Sequence, residues 1–187
     1  MEIKTIGIIG YGSFGTLAEK LLRRFAADIE VRVHSERHAA DGKTFFSFQD
    51  TVASDAIVFA VPIAAFEDAL TKALPLMRET AIIVDVATVK VHPVEVLKRL
   101  AGKRPWIATH PMWGPESYEK RNGDVSGFRI VMADGTLEVA NYNALTRFLK
   151  QCGFDVVEMS PEAHDKHLAQ TLFLTHLVGQ TIARGDF

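Results

Sequence analysis

Two clusters of residues in this 187-residue chain have the types and spacing that chemistry requires. The first is Gly10-x-Gly12-x-x-Gly15, entered from the apolar run Ile6, Ile8 and Ile9 and followed at once by a helical pattern. In that setting the glycines read as a dinucleotide fingerprint. Gly10 permits a tight turn, Gly12 lets the backbone approach a pyrophosphate, and Gly15 lets helix and strand pack closely. The helix N-terminus then faces the phosphate charge, so Ser13 and Phe14 join the three glycines as cofactor-binding candidates. The second cluster is Thr109-His110-Pro111-Met112-Trp113-Gly114-Pro115-Glu116-Ser117, dense in Pro and Gly and carrying a histidine, a large aromatic and a carboxylate. Loops of this kind, held by a rigid sheet, commonly bear function.

Within that second cluster His110 is the candidate general base. A hydride acceptor needs an alcohol whose proton is managed as the hydride leaves, and a neutral imidazole near pH 7 suits the task. Thr88, in the segment Asp85-Val86-Ala87-Thr88-Val89-Lys90, offers a hydroxyl that can orient His110 or the nicotinamide amide, while Lys90 reads better as a structural ion pair than as a catalyst. Val61 and Pro62, apolar and rigid, suit the face of a nicotinamide ring. Met112, Trp113 and Gly114 are candidates to line a substrate pocket, with Thr175, His176 and Gln180 further on; His176 and Gln180 are one turn apart on a helix. His164 and His167 have i, i+3 spacing, but no cysteines or paired carboxylates complete a shell, so no metal is expected.

The choice of nucleotide rests on the end of the second strand, where an NAD site usually carries an acid about 20 residues past the glycines. Here Ser35 stands at that place and Arg37 can stack on adenine and pair with a 2′-phosphate. This favours NADP. Glu36 leaves NAD possible, since a shift of one residue would put it on the ribose.

The elements that must hold these residues alternate between strand and helix, the pattern of a parallel sheet covered on both faces. The expected class is α/β: a Rossmann-type, doubly wound, mostly parallel sheet with a C-terminal helix. Strands are expected at 3–9, 29–34, 43–46, 56–61, 81–86, 105–109, 128–133 and 154–159. Helices are expected at 13–27, 64–74, 93–101, 137–151 and 161–183, with a short helical turn at 36–40. Ser160 can cap the last helix with Pro161 at its first position. That helix carries Leu168, Leu172, Leu174, Leu177 and Val178 with nothing after it to cover them, which points to a second copy of the chain as partner. Composition excludes other classes. With 48% hydrophobic residues and a net charge of −2, the chain is neither a nucleic-acid binder nor a disordered tail. No uncharged run reaches the length of a membrane helix, and the single Cys152 is expected to pack; a cytoplasmic setting is the simplest expectation.

At these residues the chain resembles the prephenate/arogenate dehydrogenase family of tyrosine biosynthesis. The matching pieces are Gly10–Gly15, Asp85-x-x-Thr88-Val89-Lys90, the His110 loop, and Ser160-Pro161-Glu162-x-His164-Asp165 leading to Thr175-His176. The glycine motif alone is shared by many dehydrogenases. The His110 loop followed about 45 residues later by Ser-Pro-Glu-x-His-Asp is much more specific, and the loop looks most like the arogenate-using branch. The resemblance implies an oxidative decarboxylation in which a cyclohexadienol ring loses hydride and carbon dioxide and becomes aromatic. It implies that His110 takes a hydrogen bond from the ring hydroxyl, that Thr88 stands beside it and the nicotinamide, and that His176 belongs to the substrate pocket. It further implies a dinucleotide-binding domain over 1–159 and, over 160–187, the start of a helical dimerisation and substrate domain, most of which this sequence lacks. Two other readings are kept open: a dimeric dinucleotide-binding protein without catalysis, and a reductase of another small imine or hydroxy acid.

Overall fold

The computed structural model describes residues 2–185, apart from the side chains of Leu172, Phe173, His176 and Arg184. Its described residues form a seven-stranded sheet in the order β2-β1-β3-β4-β5-β6-β7. The strands are β1 (Thr5–Ile9), β2 (Glu30–His34), β3 (Ala56–Phe59), β4 (Ile82–Asp85), β5 (Trp106–Pro111), β6 (Arg129–Gly135) and β7 (Asp155–Glu158). Strands β1 to β5 are mutually parallel, β6 runs antiparallel to β5, and β7 is parallel to β6. The expected doubly wound, mostly parallel sheet is therefore present. Because β1, β3, β4 and β5 lie side by side and point the same way, the segments that follow them emerge at one edge, where ligands bind in such sheets.

The helices are α1 (Ser13–Phe25), α2 (Phe48–Val52), α3 (Ile63–Ala73), α4 (Val91–Leu100), α5 (Pro115–Lys120), α6 (Val139–Gln151), α7 (Pro161–Leu168) and α8 (Leu174–Arg184). Apolar residues at helical spacing make the contacts: Leu17 and Leu21 of α1, Phe66 and Leu70 of α3, and Val94 and Leu97 of α4 are all buried. The main core lies between α3, α4 and the face of β3, β4 and β5, around Phe59, Phe66, Leu70, Ile83, Leu97 and Trp106. A second cluster gathers Leu17, Leu21, Ile107, Tyr118, Met132 and Phe154, with Cys152 packed partly against it. Truncating a fully buried leucine such as Leu70 or Leu97 to Ala would cost roughly 2–5 kcal/mol.

Three expectations about elements need correction. The strand expected at 43–46 reduces to a single bridge between Val33 and Phe45, because Asp41 gathers the backbone N–H groups of Lys43, Thr44 and Phe45 into a tight loop. The helical turn expected at 36–40 is only a turn closed by His38 N–H to Ser35 O at 3.3 Å. The helix expected from 161 to 183 is interrupted by a π-helical stretch, Ala169–Phe173, between α7 and α8. Leu168, expected to be uncovered, is 2% exposed. Leu174, Leu177 and Val178 are exposed as expected, together with Ile182. Leu172 lies outside the described side chains. Among the described residues no helix is long and apolar enough to cross a membrane.

Candidate active site

Gly10, at the end of β1, has a φ of +99° and donates its N–H to His34 O on β2 at 3.0 Å. A Cβ there would stand 2.6 Å from Ala60 O, and one on Gly15 would stand 2.1 Å from Gly10 O. Both positions demand glycine for packing. Gly12 is different: its backbone is extended and a Cβ would meet nothing within 4 Å. The space in front of Gly12 is open, and the helix that starts there has no side-chain cap and no acid in its first turn. Its first N–H groups are thus left for an anion. This cradle fits a dinucleotide pyrophosphate, with Ser13, Phe14 and Gly15 supplying the helix end.

Ser35 sits just beyond β2, 9% exposed, with its hydroxyl accepting from Arg37 N–H at 3.3 Å and facing His38 Nδ1 at 3.1 Å. Glu36 and Arg37 are both exposed. Val61 packs against the main core and Pro62 precedes α3 as its N-cap, so both stand at the end of β3 as expected.

His110 stands near the end of β5, three strands across from β1. At about 4.8 Å per strand the crevice from Gly10 to β5 spans roughly 14 Å. A register shift lies between Ala108 and Thr109, just ahead of His110, the kind of irregularity that re-aims a side chain beside a site. The imidazole is 7% exposed. Its Nδ1 lies 2.9 Å from His164 Nε2 on α7, and its Nε2 has no hydrogen-bond partner among the described residues. Burial, then the neighbouring His164 and Lys90, hold its pKa at about 3, so the ring is neutral at physiological pH.

Behind His110 runs a chain of groups that spacing along the sequence did not reveal. His164, 2% exposed, places Nδ1 2.7 Å from Asp165 Oδ1. Asp165 also accepts from the backbone N–H of Lys90 at 2.7 Å and of Val91 at 2.9 Å, capping α4, whose N-cap residue supplies no side-chain bond of its own. A carboxylate at a helix N-terminus is favoured by the helix dipole as well as by these bonds. The N–H of Val91, the His164 ring and the Lys90 N–H hold the Asp165 carboxyl below its ordinary range despite partial burial.

Lys90 turns its side chain the other way, into the core. Its ammonium donates to Asp85 Oδ2 and, at 2.6 Å, to Thr109 O; both charged side chains are fully buried. Burial pushes the Asp85 carboxyl up and the Lys90 amine down, and each charge opposes the shift of the other. Thr109 Oγ1 donates to Asp85 O at 2.8 Å. The structural ion pair expected of Lys90 is present.

Other expectations fare less simply. Thr88 is exposed on the segment after β4, and no hydrogen bond joins it to His110; the group that does so is His164. Trp113 stacks on Phe128 at 5.1 Å and on Phe154 at 5.5 Å, with Phe14 at 6.1 Å, so its indole is committed mainly to packing. Met112 is 42% exposed beside it and Gly114 caps α5. Thr175 and Gln180 are exposed on α8, with Thr175 Oγ1 bonded to Thr171 O. The side chain of His176 lies outside the described residues. His167 is exposed, apart from the pair that His164 makes with His110.

A glycine-cradled crevice at the switch between β1 and β3, with a buried neutral histidine across it, defines a dinucleotide-binding α/β protein of the dehydrogenase type. The family model described as prephenate dehydrogenase, nucleotide-binding domain, matches residues 27–158, more than half of the chain. The chain belongs to the prephenate dehydrogenase family through this nucleotide-binding part. It is similar to arogenate dehydrogenase 2, chloroplastic, of Arabidopsis thaliana, 28% identical over 96% of this chain and 53% of that protein. It is also similar to arogenate dehydrogenase 1, chloroplastic, of the same plant, 30% identical over 95% of this chain and 30% of that one. The chain thus spans about half the length, or less, of these two relatives. Among solved structures, prephenate dehydrogenase from Aquifex aeolicus, in complex with hydroxyphenyl propionate and NAD+, shares the fold with a TM-score of 0.81 at 19% identity, over 99% of this chain and 70% of that one. Synechocystis arogenate dehydrogenase does so with a TM-score of 0.69 at 22% identity, over 88% of this chain and 63% of that one.

Proposed function

We propose that this chain holds NADP, or NAD, in the glycine cradle and supports the oxidative decarboxylation of a cyclohexadienol carboxylate of the arogenate or prephenate kind. The observation that carries the reading is His110: buried at the substrate edge of the sheet, neutral, and with Nε2 unpaired among the described residues. A bound nicotinamide would supply the hydride acceptor. Gly12 and the start of α1 would hold the pyrophosphate, and Val61 and Pro62 would offer an apolar face to the ring. His110 Nε2 accepts a hydrogen bond from the ring hydroxyl and shares its proton as hydride leaves the carbinol carbon. When carbon dioxide departs and the ring becomes aromatic, the proton returns to the oxygen, so none is consumed. Aromatisation supplies much of the driving force, and the protein need only align donor and acceptor and manage that one proton.

Ser35 in place of an acid and the exposed Arg37 favour the 2′-phosphate of NADP. The exposed Leu174, Leu177, Val178 and Ile182 favour a homodimer through α8, in which Thr175, His176 and Gln180 would join the pocket. The test is addition of arogenate or prephenate with NADP or NAD while following absorbance of the reduced cofactor. His110→Asn should abolish turnover and leave nucleotide binding intact. Tight nucleotide binding with no substrate binding at millimolar concentration, or full turnover in the His110→Asn protein, would overturn the reading.

A further inference from the structure

We propose that His164 and Asp165 are positioning residues that fix the tautomer of His110, so that Nε2 always meets substrate as a lone pair. The role in turnover rests on the function proposed above; the tautomer claim stands on geometry alone.

The Asp165 carboxylate can only accept. Asp165 takes three donors, the N–H groups of Lys90 and Val91 and the Nδ1–H of His164, so His164 must carry hydrogen on Nδ1. A neutral His164 then has its lone pair on Nε2, 2.9 Å from His110 Nδ1. That contact needs exactly one hydrogen, and it must come from His110 Nδ1–H. With its hydrogen spent there, neutral His110 has an unprotonated Nε2. An imidazole left to itself favours the opposite tautomer, hydrogen on Nε2, which would point a donor at the substrate hydroxyl. The relay also has somewhere to send charge. As His110 shares the substrate proton, its Nδ1–H leans on His164, whose Nδ1–H leans on Asp165. The orienting logic matches that of a base held by a second group and a carboxylate behind it. Because Asp165 is pinned to the start of α4 and His164 is almost fully buried, the relay is rigid.

The experiment labels histidine with ¹⁵N and records long-range ¹H–¹⁵N correlations of the chain. Wild type should show His110 as the Nδ1–H form. His164→Leu should move His110 largely to the Nε2–H form and lower kcat tenfold to a hundredfold, with KM for nucleotide within twofold. His164→Gln, whose amide oxygen can accept from Nδ1, should recover most of both. Asp165→Asn gives a second reading of the ring should the leucine variant fail to fold, and it should populate both tautomers. A His110 ring that is Nε2–H in wild type, or that stays Nδ1–H in the His164→Leu and Asp165→Asn proteins, overturns the relay. If wild type shows no turnover, the functional reading falls and the spectra still decide the relay. If turnover is present and the tautomer ignores the variants, the relay alone falls.

Discussion

Replacing Lys90 by Met tests whether the ion pair beneath the site holds the sheet edge together. The ammonium is fully buried, and it satisfies both Asp85 Oδ2 and Thr109 O. Met fills a similar volume but leaves Asp85, also fully buried, without a counter-charge. Removing one partner of such a pair costs about 3–5 kcal/mol, whereas replacing both by neutral groups costs far less. For a chain of this size that is a fall in Tm of roughly 6–20 °C. In the double variant Asp85→Asn, Lys90→Met, the Asn oxygen can keep the bond from Ala87 N–H, 2.9 Å in the native protein, and its amide can turn to Thr109 O. The double variant should therefore be more stable than Lys90→Met alone. The sign with pH is also set. Burial raises the Asp85 carboxyl, and without Lys90 little remains to oppose that rise. A group with a raised folded-state pKa contributes stability below its unfolded value and loses it as pH rises. The Lys90→Met protein should thus recover part of its deficit as pH falls, because protonation of Asp85 removes the unpaired buried charge. Urea unfolding of wild type, Asp85→Asn, Lys90→Met and the double variant at pH 5 and pH 8 gives the cycle. A cost under 1 kcal/mol for Lys90→Met, or a double variant as damaged as the sum of the singles, would refute the reasoning.

Further outcomes follow from the same geometry. Gly12→Ala should leave thermal stability nearly unchanged, since its Cβ meets no protein atom within 4 Å, yet weaken nucleotide binding at least tenfold by calorimetry. Gly15→Ala, whose Cβ would lie 2.1 Å from Gly10 O, should lose both. The pKa of His110 lies at about 3, below the ordinary 6.5 of an unfolded chain, so the unfolded state binds the extra proton and native stability falls as pH drops through that window. The share due to this ring is roughly 2–3 kcal/mol between pH 6.5 and 4.5. Denaturation of His110→Asn should therefore show a shallower acid slope; an unchanged slope would contradict a buried neutral ring. Arg37→Ala should weaken NADP about tenfold and leave NAD within twofold; equal losses would remove Arg37 from 2′-phosphate recognition.

Much of the architecture was legible because its signals are local. The glycine spacing and the apolar run before it placed β1, the turn and α1, and alternation of strand and helix patterns gave the doubly wound class. The misses have physical causes. Residues 43–46 look like a strand, but the carboxylate of Asp41 captures three successive N–H groups and curls the segment into a loop that keeps one bridge to β2. Helices α2 and α5 have five and six residues, too few for a 3.6-residue period to emerge. The reversed direction of β6 depends on its packing beside β5 and has no mark in composition.

The site divides along the same line. His110 could be found from one loop, because proline, glycine and an aromatic crowd around it at a strand end. The contact of His164 with His110 could not, because the two residues lie 54 apart in sequence and no local pattern joins them. What joins them is a helix cap: Asp165 ties α7 to the first turn of α4, and that tie sets the height at which His164 meets His110. Lys90 belongs to both arrangements, its N–H bound to Asp165 and its ammonium to Asp85 and Thr109, the residue next to His110. A displacement of α7 would therefore disturb the histidine through its ring and through the backbone beside it.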